Sequence, residues 1–167
     1  FSDKEALATM FMFIALYFFT VAWRSSKLKN AVILGLVSGI ATGLMALSWG
    51  GVQFIFLTIG IFQLVILLLG KSDVKKFLVY SSWMFPMFLI AINFSGRYTL
   101  NSVLSSFTTG IVILSFIASL VKYLIYDLNI LNLKSKLEGY PNGLVSIIFA
   151  LLIASIFATL LYGPSFI

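Results

Sequence analysis

The chain has 167 residues, of which 61% are hydrophobic and only 10% are charged, and its formal net charge is +6. Soluble domains are about half apolar and a quarter charged, so this composition excludes a soluble enzyme and indicates a membrane protein. Cysteine and histidine are absent, which excludes disulfides, thiol or histidine catalysis and the usual zinc sites. Any bound metal must therefore have oxygen ligands, as Mg²⁺, Mn²⁺ and Ca²⁺ do.

Six apolar segments are long enough to cross a bilayer, for which about 17–25 residues are needed. We predict an all-α polytopic membrane protein in which residues 1–167 form one transmembrane domain, with spans at 6–23, 31–48, 52–70, 77–94, 102–126 and 144–163. The chain begins with Phe rather than Met and shows no signal-peptide pattern. We therefore expect it to be a fragment of a longer protein.

Lysine and arginine fall mainly on alternate connectors, which predicts how the spans are oriented. One set of connectors should be cytoplasmic because it carries most of the basic residues: Arg24, Lys27, Lys29, Lys71, Lys75, Lys76, Lys134 and Lys136, with Lys122 close by. The other set carries only Lys4 and Arg97. We therefore expect Asp3, Glu5 and Trp49 at the external or lumenal surface. The positive net charge is explained by this topology and does not indicate nucleic acid binding.

The charged stretch Ser2-Asp3-Lys4-Glu5 stands directly before the first span and has two interpretations. It fits the capping box S-x-x-E, in which Ser2 and Glu5 bond free backbone N–H groups. Acids in a first turn also suit the helix dipole, by about 0.3–1 kcal/mol each. Alternatively, Asp3 and Glu5 form a D-x-E pair that binds one divalent cation, provided the chain there is extended or just entering a helix. Such an ion could neutralise a lipid-linked phosphate.

Gly35, Gly39 and Gly43 recur at a spacing of four residues in the second span. They line one helix face and allow another backbone to approach closely, so we expect helix packing there. The alternative is a glycine-lined groove for lipid. Three amides at membrane depth should face the protein interior and bond across helices, or else line a substrate path: Gln53, Gln63 and Asn93.

The stretch ALSWGGVQFIFLTIGIFQLVILLLG places Trp49, Gly50 and Gly51 between the second and third spans. An interfacial Trp before a glycine turn could serve any helical hairpin. The stretch also resembles the catalytic subunit of oligosaccharyltransferase, in which an external Ser/Thr-Trp-Gly-Gly turn joins a rising and a returning helix. That family often has an aromatic residue where this chain has Val52.

FSDKEALATMF resembles a second segment of that family, a D-x-E or D-x-D motif in a short external loop directly before an inward helix. The family places its Trp-Gly-Gly turn two spans later and on the same side, as we predict here. The resemblance extends over the whole chain in topology, but it depends on these two short motifs in sequence.

The resemblance implies a GT-C-type transmembrane domain of a metal-dependent glycosyltransferase, most similar to the archaeal single-subunit type. Such an enzyme moves an oligosaccharide from a lipid-linked phosphate or pyrophosphate to the Asn amide of Asn-X-Ser/Thr. Asp3 would be a ligand of Mg²⁺ or Mn²⁺, and Glu5 a second ligand or a partner of the acceptor amide. The implied partners are the lipid-linked oligosaccharide, the acceptor polypeptide, membrane lipid and the remainder of the parent chain.

The resemblance also implies residence in the archaeal plasma membrane or the endoplasmic reticulum membrane. The family has further acids in other external loops and a soluble acceptor-reading domain, so we expect these 167 residues alone to be inactive. A non-catalytic transporter, channel or scaffold segment is the alternative, and a different lipid-phosphate sugar transferase is a third possibility. Arg97 could contact a phosphate or occupy an ordinary surface position.

Overall fold

The computed structural model describes residues 2–130 and 139–163, with the side chains of Ser2, Leu161 and Tyr162 excepted. These residues form helices and connecting turns, and no strand occurs among them. The α-helices are α1 (Ser2–Arg24), α2 (Leu28–Ser48), α3 (Gln53–Leu68), α4 (Val74–Phe94), α5 (Leu100–Ser105), α6 (Phe107–Lys122) and α7 (Asn142–Tyr162). A 3-10 turn (Gly50–Val52) precedes α3, and a π-helical turn (Tyr123–Asp127) continues α6.

Six helical segments are long and apolar enough to span a membrane, with mean hydropathies between 1.6 and 2.5. They are Asp3–Arg24, Leu28–Ser48, Gly50–Leu68, Val74–Phe94, Phe107–Asp127 and Asn142–Leu160. The predicted all-α polytopic membrane architecture is thereby confirmed. Lys134 and Lys136, which contributed to the predicted orientation, lie outside the described residues.

The fifth span begins later than the sequence predicts. Residues 102–105 belong to the short helix α5, and Ser106 interrupts the helix with an extended backbone (φ −79°, ψ 133°) before α6 begins. The Thr109 hydroxyl spans this break, since its Oγ1 donates to the Val103 carbonyl, and Thr99 caps the start of α5 by accepting from the Ser102 N–H. These side-chain bonds give the backbone an alternative to one continuous helix.

Helix α2 packs between α1 and α4, whereas α6 packs against α3 and α7. Contacts of α4 with α6 join the two groups of helices. The core at this junction contains large, fully buried side chains from α3 and α4, among them Phe56, Tyr80 and Trp83. The described helices therefore form one bundle whose ends carry the candidate site residues.

The glycine face of α2 lies against α4. A methyl group on Gly39 would overlap the Trp83 carbonyl and lie 2.6 Å from the Pro86 ring. At Gly35 it would overlap the Ser82 side chain, and at Gly43 it would lie 2.8 Å from Ile90 Cβ. The two backbones approach as closely as they do because these three positions lack side chains.

Polar side chains join helices within this apolar bundle. Gln63 of α3 is fully buried and donates to Ser119 Oγ of α6 (2.8 Å), as the sequence predicts for an amide at membrane depth. The Trp83 indole N–H likewise donates to Thr42 Oγ1 (3.0 Å).

The same prediction is wrong for the other two amides. Gln53 and Asn93 are exposed on the bundle, and Asn93 donates to the Leu89 carbonyl of its own helix (2.8 Å). Asn93 thereby satisfies a donor without a neighbouring helix.

Candidate functional site

The register of α1 and α2 brings Asp3 and Trp49 to the same end of the bundle. The two helices are joined by a short connector, and Ser38 Oγ of α2 donates to the Ala15 carbonyl of α1 (2.7 Å). From this bond Asp3 lies 12 residues along α1 and Trp49 lies 11 residues along α2, which correspond to about 18 Å and 17 Å. The two residues are therefore nearly level along the bundle axis.

The turn at Trp49 ends α2 and starts the return into α3. The Trp49 N–H bonds the Met45 carbonyl (2.9 Å), and its extended backbone (φ −150°, ψ 140°) leads into the 3-10 turn. The Trp49 ring folds back over Gly51, where a side chain would overlap three ring atoms. Gly51 is therefore needed for this ring position, and Trp49 keeps 40% of its surface exposed. Val52, where the family often has an aromatic, is fully buried.

Arg97 lies at this same turn. One guanidinium nitrogen is 3.2 Å from the point that a Gly50 Cβ would occupy. The loop that carries Arg97 is anchored by residues that follow it, because Ser102 Oγ donates to the Arg97 carbonyl (2.9 Å) and Tyr98 packs edge-on against Phe56. Arg97 is exposed, and among residues 2–130 and 139–163 no carboxylate forms an ion pair with it.

Tyr98, beside this arginine, is almost entirely buried although it lies in a connector. Burial raises the pKa of its hydroxyl, and the charge of Arg97 opposes that rise in part. The buried Tyr98 therefore fixes the loop to the bundle, while the neighbouring Arg97 stays exposed to solvent.

Asp3 and Glu5 both lie within helix α1 and are exposed. Residues two apart in a helix point in different directions. At about 100° per residue, Glu5 is about 60° from the buried position Ala8, whereas Asp3 is about 140° from it. Glu5 therefore borders the packed face of α1, and Asp3 lies on its outer side. Both acids lie in the first turn of α1, which the D-x-E interpretation allowed, so a shared ion stays a prediction.

The described residues do not by themselves form a complete metal site. No group of three acidic, histidine or cysteine side chains gathers anywhere within ranges 2–130 and 139–163. Carboxylates suit Mg²⁺ or Mn²⁺, and Asp3 and Glu5 are the two carboxylates that α1 contains. The capping-box interpretation needs the side chain of Ser2, which lies outside the described side chains. Acids at the first turn of α1 remain favourable for its dipole.

Sequence reasoning identified the Trp49 turn and the acids but not the arrangement of Arg97 over Gly50. It also missed a cavity of about 340 Å³ at the other end of α1, between residues 16–24 of α1 and 58–62 of α3. Neither Asp3 nor Glu5 lines that cavity.

No protein-family model, curated protein or solved structure matches this chain.

Proposed function

We propose that the chain is a central transmembrane part of a metal-dependent oligosaccharyltransferase catalytic subunit. The observation that carries the proposal is that the acidic start of α1, the Trp49 turn and Arg97 share one end of the bundle. This end adjoins segments apolar enough to span a bilayer. A donor with a lipid tail and a charged headgroup requires such a combination.

In this proposal Arg97 binds the phosphate or pyrophosphate of the lipid-linked donor. Its guanidinium is exposed, has no described carboxylate partner, and lies beside Gly50 at the Trp49 turn. Arginine suits this task because its donors match the oxygens of a phosphate in a fixed geometry. The isoprenoid tail of the donor would lie against the adjacent spans.

The divergence of the two acids favours separate roles for them. Asp3, on the outer side of α1, is proposed as one ligand of Mg²⁺ or Mn²⁺, with the other ligands supplied by the remainder of the parent chain. Glu5, beside the packed face, is proposed to accept a hydrogen bond from the acceptor Asn side-chain amide. When bound, the ion would neutralise charge on the departing phosphate.

The test uses the full protein with Asp3→Asn, Glu5→Gln and the control Asp73→Asn, assayed by glycan transfer to a short Asn-X-Thr peptide. Asp73 caps α4 by accepting from the Lys76 N–H (2.8 Å), and asparagine keeps that cap. We expect Asp3→Asn to raise the Mn²⁺ concentration needed for half-maximal transfer. Glu5→Gln should lower kcat without that shift, and Asp73→Asn should leave transfer unchanged.

A non-catalytic membrane scaffold is the second candidate, and one observation favours it. Asp3 and Glu5 occupy the first turn of α1, where acids stabilise a helix without any ligand. In that case Asp3→Asn and Glu5→Gln would leave glycan transfer unchanged at normal expression, which would refute the catalytic proposal.

A further inference from the structure

The cavity between α1 and α3 has the length of one membrane leaflet. Residues 16–24 of α1 line it, and eight helical steps correspond to about 12 Å. Half of a hydrocarbon core about 30 Å thick is about 15 Å. The cavity therefore runs from the Arg24 end of α1 to near the middle of the predicted membrane.

Aromatic rings make up much of the cavity wall near its mouth, and two threonines are among the lining residues. Phe62 of α3 contacts the Trp23 ring edge-on, with centroids 4.9 Å apart, and Phe19 packs beside both. The Thr20 hydroxyl donates to the Leu16 carbonyl (2.8 Å), so its hydrogen needs no partner inside the cavity. This lining suits a hydrocarbon chain rather than a polar solute.

The cavity is an apolar cleft of about 340 Å³ that extends along about 12 Å of α1. A single extended acyl chain fits a cleft of this length, and the surrounding membrane supplies such chains.

Positive charge surrounds the mouth of the cavity. Arg24 is exposed and lines it, and Lys76 Nζ lies 5.7 Å from the centroid of the Trp23 ring. Lys75 Nζ, from the same end of α4, donates to the Ser25 carbonyl (2.9 Å). The acid among these contacts is Asp73, 3.8 Å from Lys76 Nζ. The basic side chains at the mouth outnumber this acid, so an anionic headgroup would complement their charge.

We propose that this cavity binds an anionic phospholipid of the surrounding membrane, with one acyl chain between α1 and α3 and the phosphate beside Arg24. The site lies at the opposite end of α1 from Asp3 and does not depend on the proposed enzymatic activity. It would attach the Arg24 end of the bundle to one leaflet and select among headgroups by charge.

The experiment is photolabelling of the full protein in phosphatidylcholine vesicles. The vesicles contain a small, equal mole fraction of phosphatidylglycerol or phosphatidylcholine with a diazirine on the acyl chain, and labelled peptides are sequenced. We expect segments 16–24 and 58–62 to be labelled about fivefold more by phosphatidylglycerol, since one basic residue near an anionic headgroup contributes about 1 kcal/mol. Arg24→Gln should lower that ratio. The control Lys29→Gln removes an exposed charge that does not line the cavity, and should leave the ratio unchanged.

Two results would overturn the proposal. Equal labelling by the two lipids, or an unchanged ratio in Arg24→Gln, would show that the basic mouth selects no headgroup. Labelling of Leu160, which is 78% exposed, without labelling of segments 16–24 and 58–62 would show that another protein segment covers the cavity.

Discussion

Replacing Gly39 by alanine tests whether backbone proximity holds α2 against α4. In an ordinary helix this change gains about 1 kcal/mol of helix propensity. Here the new methyl group would overlap the Trp83 carbonyl and lie 2.6 Å from Pro86 Cγ. Carbon atoms need about 3.5–4.0 Å, so the helices must separate by about 1 Å. Neither obstacle is the flexible end of a side chain, so local rearrangement cannot relieve the overlap.

The expected cost follows from that separation. A gap of about 1 Å forfeits about half of the dispersion energy of the contacts it opens, and overpacking of this kind costs about 1–3 kcal/mol. Because the obstacles are rigid, we take the upper end of this overpacking cost and subtract the gain in helix propensity. Gly39→Ala should lower the free energy of unfolding by about 2 kcal/mol.

The measurement is unfolding of the purified full protein in detergent, with Gly110→Ala as the matched control. Gly110 lies in α6, and a methyl group there meets nothing within 4 Å. The control should be unchanged or slightly stabilised by its propensity gain. Equal unfolding energies for Gly39→Ala and Gly110→Ala would refute the close packing of α2 on α4.

Two further substitutions address single contacts. Thr42→Val leaves the fully buried Trp83 indole N–H without its acceptor and should lower the free energy of unfolding by about 1–3 kcal/mol; an unchanged value would mean that this hydrogen bond contributes nothing. Gly51→Ala should displace the Trp49 ring and increase quenching of its fluorescence by aqueous iodide. Gly96→Ala, where a methyl group meets nothing within 4 Å, is the control, and equal quenching in both variants would contradict the folded-back ring.

The sequence predicts the spans because length and hydropathy alone decide whether a segment can cross a bilayer. It fails at the start of α6, where residues 102–105 are apolar enough to be counted with the span that follows. At this break the Thr109 hydroxyl donates to the Val103 carbonyl, and hydropathy does not register such a bond.

The glycine spacing in α2 predicts a close packing face but cannot name α4 as its partner. Likewise, the polarity of Asn93 does not reveal whether it bonds a neighbouring helix or its own carbonyl at Leu89, as it does. The cavity beside Trp23 was missed because its walls come from α1 and α3, which are not consecutive in the chain. Sequence periodicity describes one helix at a time, so contacts between non-consecutive helices need the structure.

For the candidate site, the sequence identifies the residue types, whereas the structure shows where each residue lies around its helix axis. Two acids separated by one residue can share an ion where the chain is extended or just entering a helix, and both lie in the first turn of α1. Their position within α1 separates the carboxylates around the helix axis. Arg97 could not be placed from sequence because its loop is positioned by the burial of Tyr98 against Phe56.

Fluorine NMR can measure whether Mn²⁺ binds near Asp3 and Trp49, at one end of the bundle, as the proposed metal site requires. In full protein labelled with 5-fluorotryptophan, added Mn²⁺ should broaden the ¹⁹F resonance of Trp49, assigned by Trp49→Phe. The resonance of Trp23 should stay sharp, because 20 helical residues, or about 30 Å, separate it from Asp3. We expect Asp3→Asn to abolish the broadening. Broadening that persists in Asp3→Asn, or that is equal at Trp23 and Trp49, would contradict the proposed metal site.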